Sequence, residues 1–117
     1  MVQSARHGTF GRQDLERYMH AWAQPGALTA MINWYRALVQ YPPKGRPVRL
    51  RCPTLVLWGM GDKFLDPRLA SDSLSLCETG SLIRFHRCTH WLHHEDADGV
   101  NRALIGFLAG QGTRREP

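Results

Sequence analysis

Only three cysteines occur in the 117 residues, Cys52, Cys77 and Cys88. None stands in a Cys-x-x-Cys pair and the count is odd, so neither a zinc site nor a disulfide framework is indicated, and a reducing, cytoplasmic setting is expected. Long apolar runs are absent too. Nothing approaches the roughly 20 consecutive apolar residues that span a bilayer, and the first residues, with His7, Gly8, Arg12 and Asp14, lack the apolar centre of a signal peptide. No membrane segment is expected here, and any anchor of a complete protein would lie upstream. Acidic side chains number 10 against 15 lysines and arginines. The basic surplus is dispersed except at Lys44, Arg46, Arg49 and Arg51 and at Arg114 and Arg115. No aromatic residues interleave with the first cluster, which excludes a stacking platform for nucleic acid. No Asp/Glu/His triplet has metal-ligand spacing, and no internal repeat points to a solenoid.

What is present is ordinary globular chemistry, 43% hydrophobic and 21% charged residues, too apolar for a disordered chain. Leu15, Tyr18, Met19 and Trp22 recur at helical spacing and predict a helix over Asp14–Ala23. Gln24-Pro25-Gly26 breaks it, and Leu28, Ile32, Tyr35, Leu38 and Val39 mark a second helix over Ala27–Gln40. Beyond the proline-rich connection Pro42–Pro47, the run Thr54-Leu55-Val56-Leu57-Trp58 suits a strand of a parallel sheet covered on both faces. Asp66-Pro67 starts a helix through Leu76, closed by Gly80 ahead of a second strand at Ser81–His86. Val100–Leu108 reads as a final amphipathic helix, ended by Gly110-Gln111-Gly112. The order is α-α-β-α-β-α. Two strands are few for a sheet with a buried apolar strand, so further strands are expected in sequence outside these residues.

Each predicted strand ends in a loop rich in reactive side chains. The first runs Trp58-Gly59-Met60-Gly61-Asp62-Lys63-Phe64-Leu65, the second Cys88-Thr89-His90-Trp91. Open α/β sheets gather their ligand-binding groups at the carboxyl ends of strands. A right-handed crossover between adjacent parallel strands would bring the loops together and let Asp62 hydrogen-bond the His90 ring. A carboxylate on one imidazole nitrogen leaves the other free to take a proton from a hydroxyl or a water. The bland reading stands beside it: Asp62 caps a turn and His90 is one histidine among six. Trp34 and Trp91 read as packing residues, His93 and His94 as surface, and His86 as a structural strand residue. The serines of Ala70-Ser71-Asp72-Ser73 form no Gly-x-Ser-x-Gly elbow, so no serine nucleophile is expected there. His7-Gly8-Thr9-Phe10 lacks the proline and the preceding strand of an oxyanion loop.

The blocks Gln24-Pro25-Gly26-Ala27, Asn33-Trp34-Tyr35-Arg36, Cys52-Pro53-Thr54-Leu55-Val56-Leu57-Trp58-Gly59 with Asp62, and His90-Trp91 with Val100-Asn101 resemble, in that order, the epoxide hydrolases of the α/β-hydrolase fold. The resemblance runs from about residue 10 to about residue 109. It implies an α/β fold class, specifically the C-terminal part of an α/β-hydrolase: the end of a helical cap and its connection over 1–47, the last two parallel strands and their helices over 48–112, and a polar tail over 113–117. Two features depart from the pattern: Glu95-Asp96-Ala97-Asp98 has no proline, and Gly61 precedes Asp62.

By the same resemblance Tyr35 is one of two cap tyrosines that hold an epoxide oxygen, Asp62 the charge-relay acid and His90 the base that activates water. The implied reaction adds water to an epoxide through an alkyl-enzyme ester and gives a vicinal diol, with no metal or organic cofactor. Its partners are a small-molecule epoxide and the missing N-terminal core region. Neither the nucleophilic aspartate nor the oxyanion loop occurs in these residues, so the chain is expected to be a fragment, truncated product or isoform without turnover of its own. Two alternatives remain open. A haloalkane or fluoroacetate dehalogenase shares the His/Asp pair but lacks the tyrosine pair, and a non-catalytic interaction module would recruit another chain through an unpaired strand edge.

Overall fold

The computed structural model describes residues 2–42, 44 and 48–110. Most of the Pro42–Pro47 connection, the helix stop at Gln111-Gly112, the polar tail, and Arg46, Arg114 and Arg115 lie outside the described residues. The chain forms two compact units, one made from residues 10–46 and the other from residues 1–9 with 47–117.

The first unit is a helical hairpin. Its helices are α1 (Arg12–Trp22) and α2 (Ala27–Gln40). Helix α1 starts two residues before the expected Asp14 because Asp14 sits at its third position and reaches back: its Oδ2 accepts from Gly11 N at 3.0 Å, satisfying a backbone donor that the first turn leaves open. Arg12 and Glu16 pair one turn apart at 2.8 Å. The Tyr18 ring meets Trp22 at 5.5 Å and Phe10 edge-on at 6.0 Å, so the stripe read from the sequence packs on itself. The break is made by Gly26, whose φ of 78° lies in the left-handed region that glycine adopts without steric cost.

The second unit holds the sheet. Strands β1 (Thr54–Gly59) and β2 (Gly80–Phe85) pair in parallel, from Thr54 against Gly80 to Gly59 against Phe85. Helix α3 (Arg68–Ser75) makes the crossover and packs on both strands. A further parallel bridge joins Leu50 to Cys77, with Leu50 N donating to Leu76 O at 2.7 Å and Glu78 N to Leu50 O at 2.8 Å. Helices α4 (Leu92–Glu95) and α5 (Ala97–Leu108) follow, and α5 packs on β1. Ala70, Cys88 and Val100 are the buried apolar side chains among the described residues.

Three expectations are corrected. Gly80 opens β2 instead of closing α3, because it already occupies the ladder opposite Thr54. His86 lies past the end of β2, in the turn where Cys88 N returns to Phe85 O at 3.1 Å. Strand β1 is half-buried along Thr54–Trp58 and buried at Gly59, with helices α3 and α5 both packed on it. The last helix begins at Ala97, three residues early and preceded by the unexpected turn α4. Asp96 caps it, its Oδ1 accepting from Gly99 N at 2.9 Å, so the local preference for Asp at a helix start outweighs the late onset of the apolar stripe.

Candidate active site

Both reactive loops leave the same end of the two-stranded sheet. Met60 N donates to Phe85 O at 3.0 Å and Gly61 N to Cys88 O at 2.8 Å, so the segment after β1 is tied by its backbone to the segment after β2. Gly59 makes the approach possible. A Cβ at that position would overlap the carbonyl of Thr89 and crowd that of Cys88, which only a residue without a side chain avoids.

Asp62 and His90 meet across this junction. Nδ1 of His90 lies 2.8 Å from Oδ2 of Asp62. The second carboxylate oxygen, Oδ1, accepts from Phe64 N at 2.8 Å and from Leu65 N at 3.1 Å. Burial alone would raise the Asp62 carboxyl, but the hydrogen bond from His90, the two backbone donors and the attraction to His90 outweigh it and hold the group below its ordinary value of 3.8. Asp62 is therefore ionised at neutral pH and can only accept. Nδ1 therefore carries the proton of the pair, and in the neutral imidazole Nε2 is the nitrogen with the lone pair. The Asp62 side chain is 6% exposed and that of His90 39% exposed, so the acid is enclosed while the imidazole reaches the surface of its unit. Phe64 and Trp91 meet the ring edge-on, at 5.2 and 5.5 Å.

The chain around His90 is braced from a third direction. Glu95, at the end of α4, accepts from Thr89 N at 2.6 Å through Oε2, and through Oε1 from Thr89 Oγ1 and Arg6 N, both at 2.7 Å. Burial acts to raise the Glu95 carboxyl, but these donors, Arg6 N–H first, outweigh it and leave the group below its ordinary 4.5. The Thr89 hydroxyl in turn accepts from Trp91 N at 3.3 Å, and Trp91 Nε1 donates to Ser4 Oγ at 2.9 Å. Sequence reasoning singled out neither Glu95 nor Thr89. The available signal was an acidic residue five positions after the candidate base, in a segment noticed only for its missing proline.

Tyr35 belongs to the helical unit, on α2, where it is 72% exposed. His93, read as surface, is exposed; burial and then the neighbouring His94 and His90 rings hold its imidazole below the ordinary 6.5. No group of three metal-binding side chains occurs among the described residues, and no helix among them is long and apolar enough to cross a membrane.

No protein-family profile matches the chain. Individual proteins do. The chain is 41% identical over 108 residues to AB hydrolase superfamily protein YfhM of Bacillus subtilis, covering 92% of this chain and 38% of that protein. It is 34% identical over 119 residues to epoxide hydrolase 4 of Mus musculus, covering 97% of this chain and 33% of the relative. Its fold superposes on a crystal structure of Bacillus megaterium epoxide hydrolase in complex with an inhibitor, with a TM-score of 0.74, 24% identity, and coverage of 87% of this chain and 39% of the other. The chain thus spans between a third and two-fifths of these proteins' lengths. Over that span it is an epoxide-hydrolase-like sequence carrying part of the α/β-hydrolase fold.

Proposed function

We propose that these residues supply the acid-base half of an epoxide hydrolase active site, with His90 as the base and Asp62 as its orienting acid. The observation that carries this reading is the 2.8 Å contact between His90 Nδ1 and Asp62 Oδ2. It lies at the carboxyl end of two parallel strands, where α/β enzymes gather their chemistry. On the same reading the helical unit is the end of the cap and residues 48–112 belong to the C-terminal part of the core. Tyr35 then serves as one of two hydroxyl donors to the substrate oxygen. Three free thiols, Cys52, Cys77 and Cys88, support a reducing, cytoplasmic setting.

The reaction needs a carboxylate nucleophile from outside these residues. That carboxylate attacks an epoxide carbon, the ring C–O bond breaks, and the alkoxide takes a proton from Tyr35 or its companion tyrosine, giving a hydroxyalkyl ester. His90 Nε2 then removes a proton from water as the water oxygen adds to the ester carbonyl. The resulting imidazolium is stabilised by the Asp62 carboxylate and returns its proton to the departing alkoxide. A vicinal diol leaves, and the carboxylic acid left on the nucleophile returns its proton, through solvent, to the tyrosinate, which restores both groups.

The test places these residues in a complete α/β-hydrolase frame that provides an aspartate nucleophile. That protein should convert epoxides to diols. His90→Gln should still form the ester and should lower turnover by about two to four orders of magnitude, with the covalent adduct visible as a mass gain equal to that of the epoxide. Unchanged turnover in His90→Gln would remove the assignment.

A further inference from the structure

His90 is oriented at its ring by Asp62, but a ring bond fixes the base only if the backbone that carries it is also fixed. Both peptide neighbours of His90 lead back to one carboxylate. Thr89 is bound twice by Glu95, once through its amide and once through its hydroxyl. That hydroxyl has a single proton, committed to Glu95, so its oxygen faces Trp91 N as an acceptor. Residues 89 and 91 are thereby tied to the same group, with His90 between them. A third bond, donated by Arg6 N to Oε1 of Glu95, anchors the carboxylate to the segment before α1.

We propose that Glu95 is the positioning residue for His90, acting through the Thr89 hydroxyl to hold the backbone on both sides of the base and so to keep its Nδ1 on Asp62. The proposal rests on the base assignment above and extends it from the ring to its support. Charge is not the only thing Glu95 supplies: three donors converge on it, so both oxygens must accept. Glutamine fills the same volume with one acceptor. Its oxygen serves Arg6 N and the Thr89 hydroxyl best, and its NH2 then faces the Thr89 amide donor to donor. Glu95→Gln is therefore a specific lesion, located at Thr89 N.

The 117-residue chain, labelled with 15N, provides the test. Two readouts are followed: exchange of the Thr89 and Trp91 amides with solvent, and the imidazole 15N shifts that report which ring nitrogen of His90 carries the proton. In Glu95→Gln the Thr89 and Trp91 amides should exchange about tenfold faster, the consequence of losing one hydrogen bond of ordinary strength, and the His90 signals should move from the Nδ1–H form toward a mixture of tautomers. Thr89→Val should reproduce both changes, and Thr89→Ser, which keeps the hydroxyl, should restore the Nδ1–H form. If Glu95→Gln does not fold, the contrast between valine and serine at position 89 decides alone. Faster exchange with an unaltered His90 tautomer in Glu95→Gln and Thr89→Val would overturn the proposal, since Glu95 would then brace the loop without positioning the base. Asp62→Asn separates the two ideas. It should mix the His90 tautomers while leaving Thr89 exchange slow; no change in tautomer there defeats the acid-base reading itself, whatever Glu95 does.

Discussion

The helical hairpin and the sheet unit differ in where their order comes from. In the hairpin no residue of α1 or α2 is buried: the two helices hold their shape through a reaching Asp14, a glycine break and an aromatic stripe, while Trp34, Tyr35, Leu38 and Val39 are exposed. In the sheet unit the apolar core is small as well, but the backbone of one loop is bonded to the backbone of the next, and two carboxylates accept three donors each. Helical propensity is a local property, whereas a chemical site between two loops requires contacts far apart in sequence. The candidate base and acid stand in the unit that has such contacts.

The hardest blow to that unit should be Gly59→Ala. The added Cβ would overlap the Thr89 carbonyl, and the obstacle is backbone, not the end of a movable side chain. The loops after β1 and β2 must separate, at a cost of about 3 kcal/mol or more. Denaturant titration should register the loss, and the His90 signals should show the ring released from Asp62. The contrasting substitution is Gly106→Ala in α5, where a Cβ meets nothing within 4 Å; it should raise stability by about 0.5–1 kcal/mol, since alanine has less backbone freedom to lose in a helix.

Truncating apolar side chains in the two units sharpens the difference. Val100 on α5 is 8% exposed, and Val100→Ala should cost about 1–3 kcal/mol through lost burial and the void it leaves. Leu38 on α2 is 58% exposed, so Leu38→Ala should stay within about 0.5 kcal/mol. Equal losses at the two positions would mean that Leu38 is covered in solution by something else.

Much of this was legible in the sequence, for identifiable reasons. Helix α2 matched its expected bounds residue for residue because glycine and an amphipathic stripe mark it locally. The parallel pair and the meeting of Asp62 with His90 followed from strand-end position and crossover topology, which are general rules of α/β sheets. Two of the misses are boundary effects in which a local hydrogen bond outweighs the apolar pattern: Asp14 reaching back at α1, and Asp96 capping α5. Glu95 was missed for a different reason. Its importance lies in the direction of its two oxygens toward Arg6 and Thr89, and no spacing rule encodes the 89-residue separation of the first pair.

Acid should weaken the sheet unit at the two loops first. Asp62 and Glu95 are held below their ordinary values of 3.8 and 4.5. Carboxyls depressed in the folded state add stability that is fully present above the unfolded-state values and is lost as pH falls through the depressed folded values. Unfolding midpoints should thus decline slightly below about pH 6.5, where the unfolded chain protonates His93 more readily than the folded one, and fall further below about pH 4 through the two carboxyls, with the amides of residues 59–65 and 88–95 losing protection before the rest of β1 and β2. A double variant, Asp62→Asn with Glu95→Gln, should start less stable and show a shallower acid slope. An unchanged slope would mean that other carboxyls carry the acid sensitivity.

A modest and purely local effect belongs to the hairpin, at its turn. Gly26 has a φ of 78° and nothing within 4 Å of the site of a Cβ, so alanine there meets no neighbour and is disfavoured only by its own backbone. That intrinsic strain is worth about 1 kcal/mol. Because Ala30 N bonds to Gly26 O at 2.8 Å at the start of α2, a turn pushed out of the left-handed region also loses the first bond of the helix. Gly26→Ala should therefore lower the helical circular dichroism and the thermal midpoint modestly. Gly26→Asn should lower them less, since asparagine enters this region more readily than other residues with side chains. Neither substitution should alter the His90–Asp62 signals. If Gly26→Ala displaced them, the two units would be energetically coupled, and the hairpin would have to be counted among the supports of the acid-base pair.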